Sequence, residues 1–187
     1  MASTYPTTLD AFTNPTTSSL LTSPSHAGQH SDINDAMEAV QTKLAIGNTV
    51  IGTYIAYTPS FSGGVTFGNG VSTGAYCLVN GFVHYYGIFT LGSTSAITGS
   101  IQLNLPVNIN SAMELGSMPY GFITYFDTPA NTRYPGTTTY ASAASYIVLR
   151  AELASGTYVS QTATSATVPF TWGTGDVIAW NLYYRAA

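Results

Sequence analysis

The residues of this chain able to do chemistry are few and scattered. His26, His30, Asp32 and Asp35 bring two imidazoles and two carboxylates into one short stretch, and these are donor types of a divalent-metal site. Ser25-His26-Ala27-Gly28 favours a bend, however, which leaves both histidines ahead of a helix and both aspartates inside it. Capping and interface hydrogen bonds are the expected role, and no metal or cofactor is assigned. Cys77 is the only cysteine in 187 residues, so disulfides within the chain and cysteine-based zinc sites are excluded by count. It lies in the strand-like run Ala75-Tyr76-Cys77-Leu78-Val79, where a buried inert thiol is expected rather than a nucleophile with a positioned base. His84 stands in an aromatic strand, which favours a packed, hydrogen-bonded imidazole over a general base. The carboxylates Glu114, Asp127, Glu152 and Asp176 show no paired spacing, and neither a nucleophile elbow nor a phosphate loop is present. Asp176 follows Gly173-Thr174-Gly175 and is expected to cap that turn. Catalysis, glycan hydrolysis included, is not expected.

Recognition has more candidates. Tyr120, Tyr125, Tyr134, Tyr140, Trp172 and Trp180 are stacking platforms for a sugar ring if they are exposed. The segment from Tyr125 to Gly136 combines turn residues, charge and aromatics and reads as an exposed loop, with Tyr125, Asp127, Arg133 and Tyr134 as its glycan-facing residues.

Three kinds of element position these groups. Residues 1–30 read as an extended attachment arm, because their Pro, Thr, Ser and Asn content opposes helix and continuous strand. Tyr5, Pro6, Leu9, Phe12, Pro15 and Pro24 are its anchoring residues. Residues 31–47 read as a short amphipathic helix, with Ser31 or Asp32 as cap, Lys43 in the last turn and Gly47 just past the end. Ile33, Met37, Val40 and Leu44 form a narrow apolar seam, which either docks on the chain's own β domain or pairs with copies of itself. Residues 48–187 read as a mainly β, antiparallel sandwich or jelly-roll-like head. Its strands are expected at 50–57, 64–67, 74–79, 82–91, 96–105, 121–126, 137–152, 168–172 and 177–184. Asn69-Gly70 and Asn80-Gly81 carry the signal of tight type I′ turns, and the second joins strands 74–79 and 82–91 in a hairpin. Alternation in 75–79 and 83–89 is weak, so both faces of those strands are expected to be covered.

Composition narrows function further. Only 6 % of residues are charged, against roughly 25 % in ordinary soluble domains. Such a chain has little polar surface to spare, which points to an obligate oligomer. A net charge of −4 with four basic residues excludes the basic footprint that nucleic acid requires. The chain holds no apolar run of membrane-spanning length and Met1-Ala2-Ser3-Thr4 opens no signal peptide, so synthesis and retention in the cytosol until assembly are expected, with no membrane insertion.

Two stretches carry a family resemblance. The run Tyr5-Pro6-Thr7-Thr8-Leu9-Asp10-Ala11-Phe12-Thr13-Asn14-Pro15, with Ser23-Pro24-Ser25-His26-Ala27-Gly28-Gln29-His30-Ser31-Asp32-Ile33-Asn34-Asp35-Ala36 and Glu38-Ala39-Val40-Gln41, resembles a segment near the N-termini of tail-fibre, minor-tail and related virion proteins of tailed bacteriophages. The β region is similar to a domain that recurs in such proteins, through Phe67-Gly68-Asn69-Gly70, Phe89 to Ser95, Leu103 to Val107 and Pro169 to Asp176. The resemblance implies a structural protein of the virion, a homotrimer with other virion proteins as partners. Two roles are compatible with it: a decoration or short-fibre subunit on capsid or tail, and a receptor-binding adhesin for host-surface glycan. The absence of a long repeat or heptad array favours the first.

Overall fold

The computed structural model describes residues 25–44, 52–110, 119–140, 145–155 and 157–187, with backbone alone at 41–44 and 155. The arm residues Tyr5, Pro6, Leu9, Phe12, Pro15 and Pro24, the side chain of Leu44, Gly47 and Glu114 lie outside the described residues. Internal contacts divide the chain into two units, residues 1–53 and 54–187.

In the first unit a single described helix, α1, runs His26–Leu44. It starts five residues before the expected Ser31, because Ser25 provides the cap. The Gly28 N–H donates to Ser25 Oγ at 3.3 Å and the Gln29 N–H to the Ser25 carbonyl at 2.9 Å, which satisfies donors that the first turn otherwise leaves orphaned. Ser31 and Asp32 are therefore helix-interior residues, and the expected bend at Ser25-His26-Ala27-Gly28 is the first helical turn. Gly28 costs about 1 kcal/mol there relative to Ala, a cost the cap offsets. Along the seam Ile33 and Met37 are exposed and Val40 is half-buried.

The second unit is mainly β. Its ten described strands are β1 Ile55–Tyr57, β2 Phe61–Thr66, β3 Val71–Val79, β4 Phe82–Thr90, β5 Ala96–Asn104, β6 Gly121–Asp127, β7 Thr132–Tyr140, β8 Tyr146–Ser155, β9 Tyr158–Ala163 and β10 Val177–Arg185. They form one antiparallel sheet in the order β1-β3-β4-β10-β6-β7-β8-β5-β2, with β9 added beside β8. The β2 end of that order lies back over β4 and β10. Phe61 of β2 packs on Phe89 of β4 at 4.9 Å and on Trp180 of β10 at 5.7 Å, and Phe67 stacks on Phe89 at 4.8 Å. One continuous sheet thus curls over its own inner face and makes the two layers of a sandwich. A bulge between Gly63 and Val65, with Gly63 at φ 73°, bends the β2 edge.

The core alternates cleanly along β4 and β10. Ile178, Trp180, Leu182 and Tyr184 of β10 point inward beside Val83, Tyr85 and Phe89 of β4, facing Ile101, Leu103, Ile147 and Leu149 from the other layer. Gly87 makes room for the largest of these. It lies opposite Trp180, and a Cβ there would sit 2.3 Å from Trp180 Cζ2. Burial raises the phenols of Tyr85, Tyr125 and Tyr184 above their ordinary value of 10.0, because the interior disfavours phenolate. Tyr125 O–H donates to the Arg150 carbonyl at 3.1 Å and Tyr184 O–H to the Val107 carbonyl at 2.8 Å.

Several expectations for the strands need correction. Asn80 and Gly81 have φ of 49° and 78°, and Val79 pairs with Phe82, so the β3–β4 hairpin has its type I′ turn. Asn69-Gly70 does not make a second hairpin, since β2 pairs with β5 rather than β3. Gly68 takes the positive φ instead, and Asn69 Oδ1 accepts from the Thr94 N–H at 2.9 Å, latching that turn to the 92–95 loop. Residues 168–172 are not a strand. Pro169, joined to Val168 by a cis peptide bond, has no N–H for a ladder, and the segment lays Phe170 and Trp172 against Tyr134 and Tyr125. The expected strand 137–152 is split into β7 and β8, and β7 begins at Thr132.

Candidate functional site

The glycan-facing loop expected at 125–136 is a hairpin between β6 and β7, with only a short turn at its tip. Tyr125 is fully buried and Tyr134 half-buried on the same inward side, 5.2 Å from Phe170. Asp127 Oδ1 accepts from the Ala130 N–H at 3.1 Å, closing the turn. The exposed Arg133 lies over the Phe126 ring at 4.6 Å, a cation–π contact that holds the tip together. The four predicted residues therefore do not make one surface. Tyr120 and Trp180 are also core residues, and Trp172 is fixed by its indole N–H to the Ser165 carbonyl at 2.9 Å.

An aromatic surface does exist, on the outward face of β4, β10 and β6. Period-two alternation that sends Tyr85 and Trp180 inward sends Phe82, His84, Tyr86 and Ile88 of β4 outward, beside Asn181 and Tyr183 of β10 and Phe122 of β6. Phe122 is 83 % exposed and Tyr183 59 %. The Phe82 and Tyr183 rings stack at 5.4 Å with planes 10° apart, and Tyr54 lies edge-on to Tyr86 at 5.3 Å. Isolated apolar side chains on a surface are ordinary; a contiguous sheet face of them is not.

A polar chain runs through this face. Tyr54 O–H donates to His84 Nδ1, and His84 Nε2–H donates to Asn181 Oδ1 at 2.6 Å, so the two contacts fix one imidazole tautomer. Partial desolvation, with the nearby Cys77 thiol contributing, raises the Tyr54 phenol. Cys77 itself is buried and stands directly opposite His84 in the β3–β4 register. That juxtaposition puts a thiol and an imidazole on one face, as a cysteine nucleophile with its base requires. Both ring nitrogens are nevertheless engaged elsewhere, by Tyr54 and Asn181. The geometry presents rings and hydrogen-bonding groups for contact.

Asp127 and Asp176 are committed to local structure. Asp176 is buried, accepting from the Gly173 N–H at 2.6 Å and the Thr128 N–H at 3.0 Å, so it caps its own turn and ties it to the β6–β7 tip. Glu152 lies on β8 opposite Gln161. In α1, His26 Nε2 and His30 Nε2 are 3.2 Å apart on one exposed face. No described helix is long and apolar enough to cross a membrane.

The outward face was missed from sequence because its residues are interleaved with the core. The usable signal is the weak alternation of 83–89, which marks both faces as apolar; within the described unit the outer one, expected to be covered, is exposed. No protein-family model, curated protein or solved structure matches the chain.

Proposed function

We propose that this chain is a non-enzymatic structural subunit of a tailed-phage virion, a homotrimeric decoration or short-fibre protein held to capsid or tail by residues 1–30 and displaying its β unit. The reading rests on the virion-protein resemblance of the sequence. The observation that carries it is the outward face of β4, β10 and β6, where Phe82, Tyr86, Ile88, Phe122 and Tyr183 are all exposed in a chain with 6 % charged residues. A sheet with two apolar faces is stable in water when something covers the second, and burying each such side chain contributes roughly 1.5–3 kcal/mol. Another copy of the chain is the cover always at hand. Its partners are then itself and other virion proteins, with no catalytic cofactor, nucleic acid or membrane insertion.

Light scattering on the full chain tests this directly. The expected mass is three times 19.7 kDa, falling toward one chain when Phe122→Asp and Tyr183→Asp are combined. A monomeric parent, or an unchanged trimer in the double variant, removes the face from the interface. Deleting residues 1–30 is expected to leave a soluble β unit that no longer joins particles, and undiminished incorporation would end the anchoring claim.

The second reading, an adhesin for host-surface glycan, is favoured by one observation. Tyr54, His84 and Asn181 form a polar chain among exposed rings, the mix of stacking and hydrogen bonding that sugars use. A monomer that binds glycan through this face would support it over assembly.

A further inference from the structure

Helix α1 begins at His26, so His26 and His30 are separated by one helical turn and their rings lie on the same face. Both side chains are exposed, the ring centroids are 4.5 Å apart at an interplanar angle of 76°, and the two Nε2 atoms approach to 3.2 Å. In the free pair one Nε2–H donates to the other ring's lone pair. The same span suits a shared cation. Two Zn–N bonds of about 2.05 Å at a tetrahedral angle set their nitrogens about 3.3 Å apart, and a cis pair at a right angle sets them about 2.9 Å apart. Their bite thus already falls between the two coordination geometries, without rearrangement of the helix.

We propose that His26 and His30 form a bidentate chelate, through Nε2 of each, for a divalent first-row transition cation of the Zn²⁺, Ni²⁺ and Cu²⁺ class. Imidazole nitrogen selects these ions over Ca²⁺ and Mg²⁺, which take oxygen. Among the described residues no third His, Cys, Asp or Glu joins the pair, so solvent completes the coordination sphere and binding is reversible. The site spans the first turn of α1. Fixing that turn is the costly step of helix formation, so the cation acts as a clamp on the start of α1. The inference concerns the helical unit alone and does not depend on the proposed virion role.

Calorimetric titration of the full chain with Ni²⁺ and, separately, Zn²⁺ tests it, with far-ultraviolet circular dichroism followed in parallel. One ion per chain is expected, with a gain in helical signal on saturation. Either His26→Gln or His30→Gln should weaken binding by about 10²-fold, because the second contact of a chelate is intramolecular, and should abolish the gain in helix. Glutamine is a good helix former, so these variants keep α1. A spacing control, His30→Gln with Ser31→His, keeps two imidazoles but turns one off the shared face, and it should bind as weakly as the single variants. Wild-type affinity in either single variant, or in the spacing control, would overturn the chelate; so would Mg²⁺ competing at concentrations comparable to Zn²⁺.

Discussion

Strands β4 and β10 have one face in the core and one in solvent, and the two are built of nearly the same residue types. Inward stand Val83, Tyr85, Phe89, Trp180 and Leu182; outward stand Phe82, Tyr86, Ile88 and Tyr183. What differs is the opposite layer. Inward, the curl of the sheet brings Phe61 and Phe67 against Phe89 and Trp180. Outward, within the unit formed by residues 54–187, Phe122 remains 83 % exposed. Apolar content alone therefore does not identify a core. A face becomes core when the topology supplies its cover, and the other face is left as a surface for recognition.

Breaking the inner face should have the largest effect. Trp180→Ala removes an indole packed against Phe61 and Tyr85 and is expected to cost about 3–5 kcal/mol, read as a lower midpoint in urea at unchanged slope. High pH attacks the same face. Folded Tyr85, Tyr125 and Tyr184 resist ionisation, while in the unfolded chain they ionise near the ordinary value of 10.0. Stability from these groups is thus fully present below about pH 10 and lost as pH rises above it, by up to about 1.4 kcal/mol per pH unit for each. Urea midpoints at stepped alkaline pH check the slope. In a spectrophotometric titration, Tyr125→Phe should lose phenolate absorbance only once the protein has unfolded; a loss in the folded baseline would show that Tyr125 titrates in place. A smaller loss, about 1–3 kcal/mol, is expected for Gly87→Ala, since the new methyl meets the Trp180 ring and the Thr73 carbonyl, at 2.3 Å and 2.8 Å. Combining Gly87→Ala with Trp180→Phe should cost less than the sum, because a smaller ring yields the space.

Much of this architecture was legible in the sequence, and the failures have physical causes. The mainly β, antiparallel class and the Asn80-Gly81 hairpin followed from β-branched and aromatic runs and from the positive φ that the turn demands. Asn69-Gly70 carries the same local signal, yet a long-range pairing of β2 with β5 overrides it. Pro135-Gly136 looks like a turn because proline lacks an N–H. It is tolerated within β7 because residues 132–135 pair only with β6, and pairing with β8 begins at Gly136. Strand β9 has a short apolar start and then Ser160-Gln161-Thr162, too polar to announce itself. The helix begins upstream of Ser31 because Ser25-His26-Ala27-Gly28, which reads as a bend, is instead a capped first turn, with Ser25 Oγ and carbonyl accepting from Gly28 and Gln29. The candidate surface was the least legible part, since which aromatic faces outward depends on register. A one-residue shift would exchange Tyr85 for Tyr86.

The smallest expected effect on stability bears most on what the outer face is for. His84→Phe removes two hydrogen bonds, from Tyr54 and to Asn181. Both partners keep access to water, so neither polar group is orphaned, and the expected cost is about 0.5–1 kcal/mol. Stability will barely register the change. Its consequences for binding diverge, because a subunit contact and a sugar site use different parts of the face. A contact made by Phe82, Tyr86, Phe122 and Tyr183 gains apolar area from the new ring, so light scattering should show the oligomer retained or tightened. A sugar site loses the groups that orient a hydroxyl, so affinity for glycan should fall while the mass stays that of the parent. If the variant instead loses its oligomeric mass at unchanged stability, the polar chain is itself part of the contact, and the inner and outer faces differ in chemistry as well as in cover.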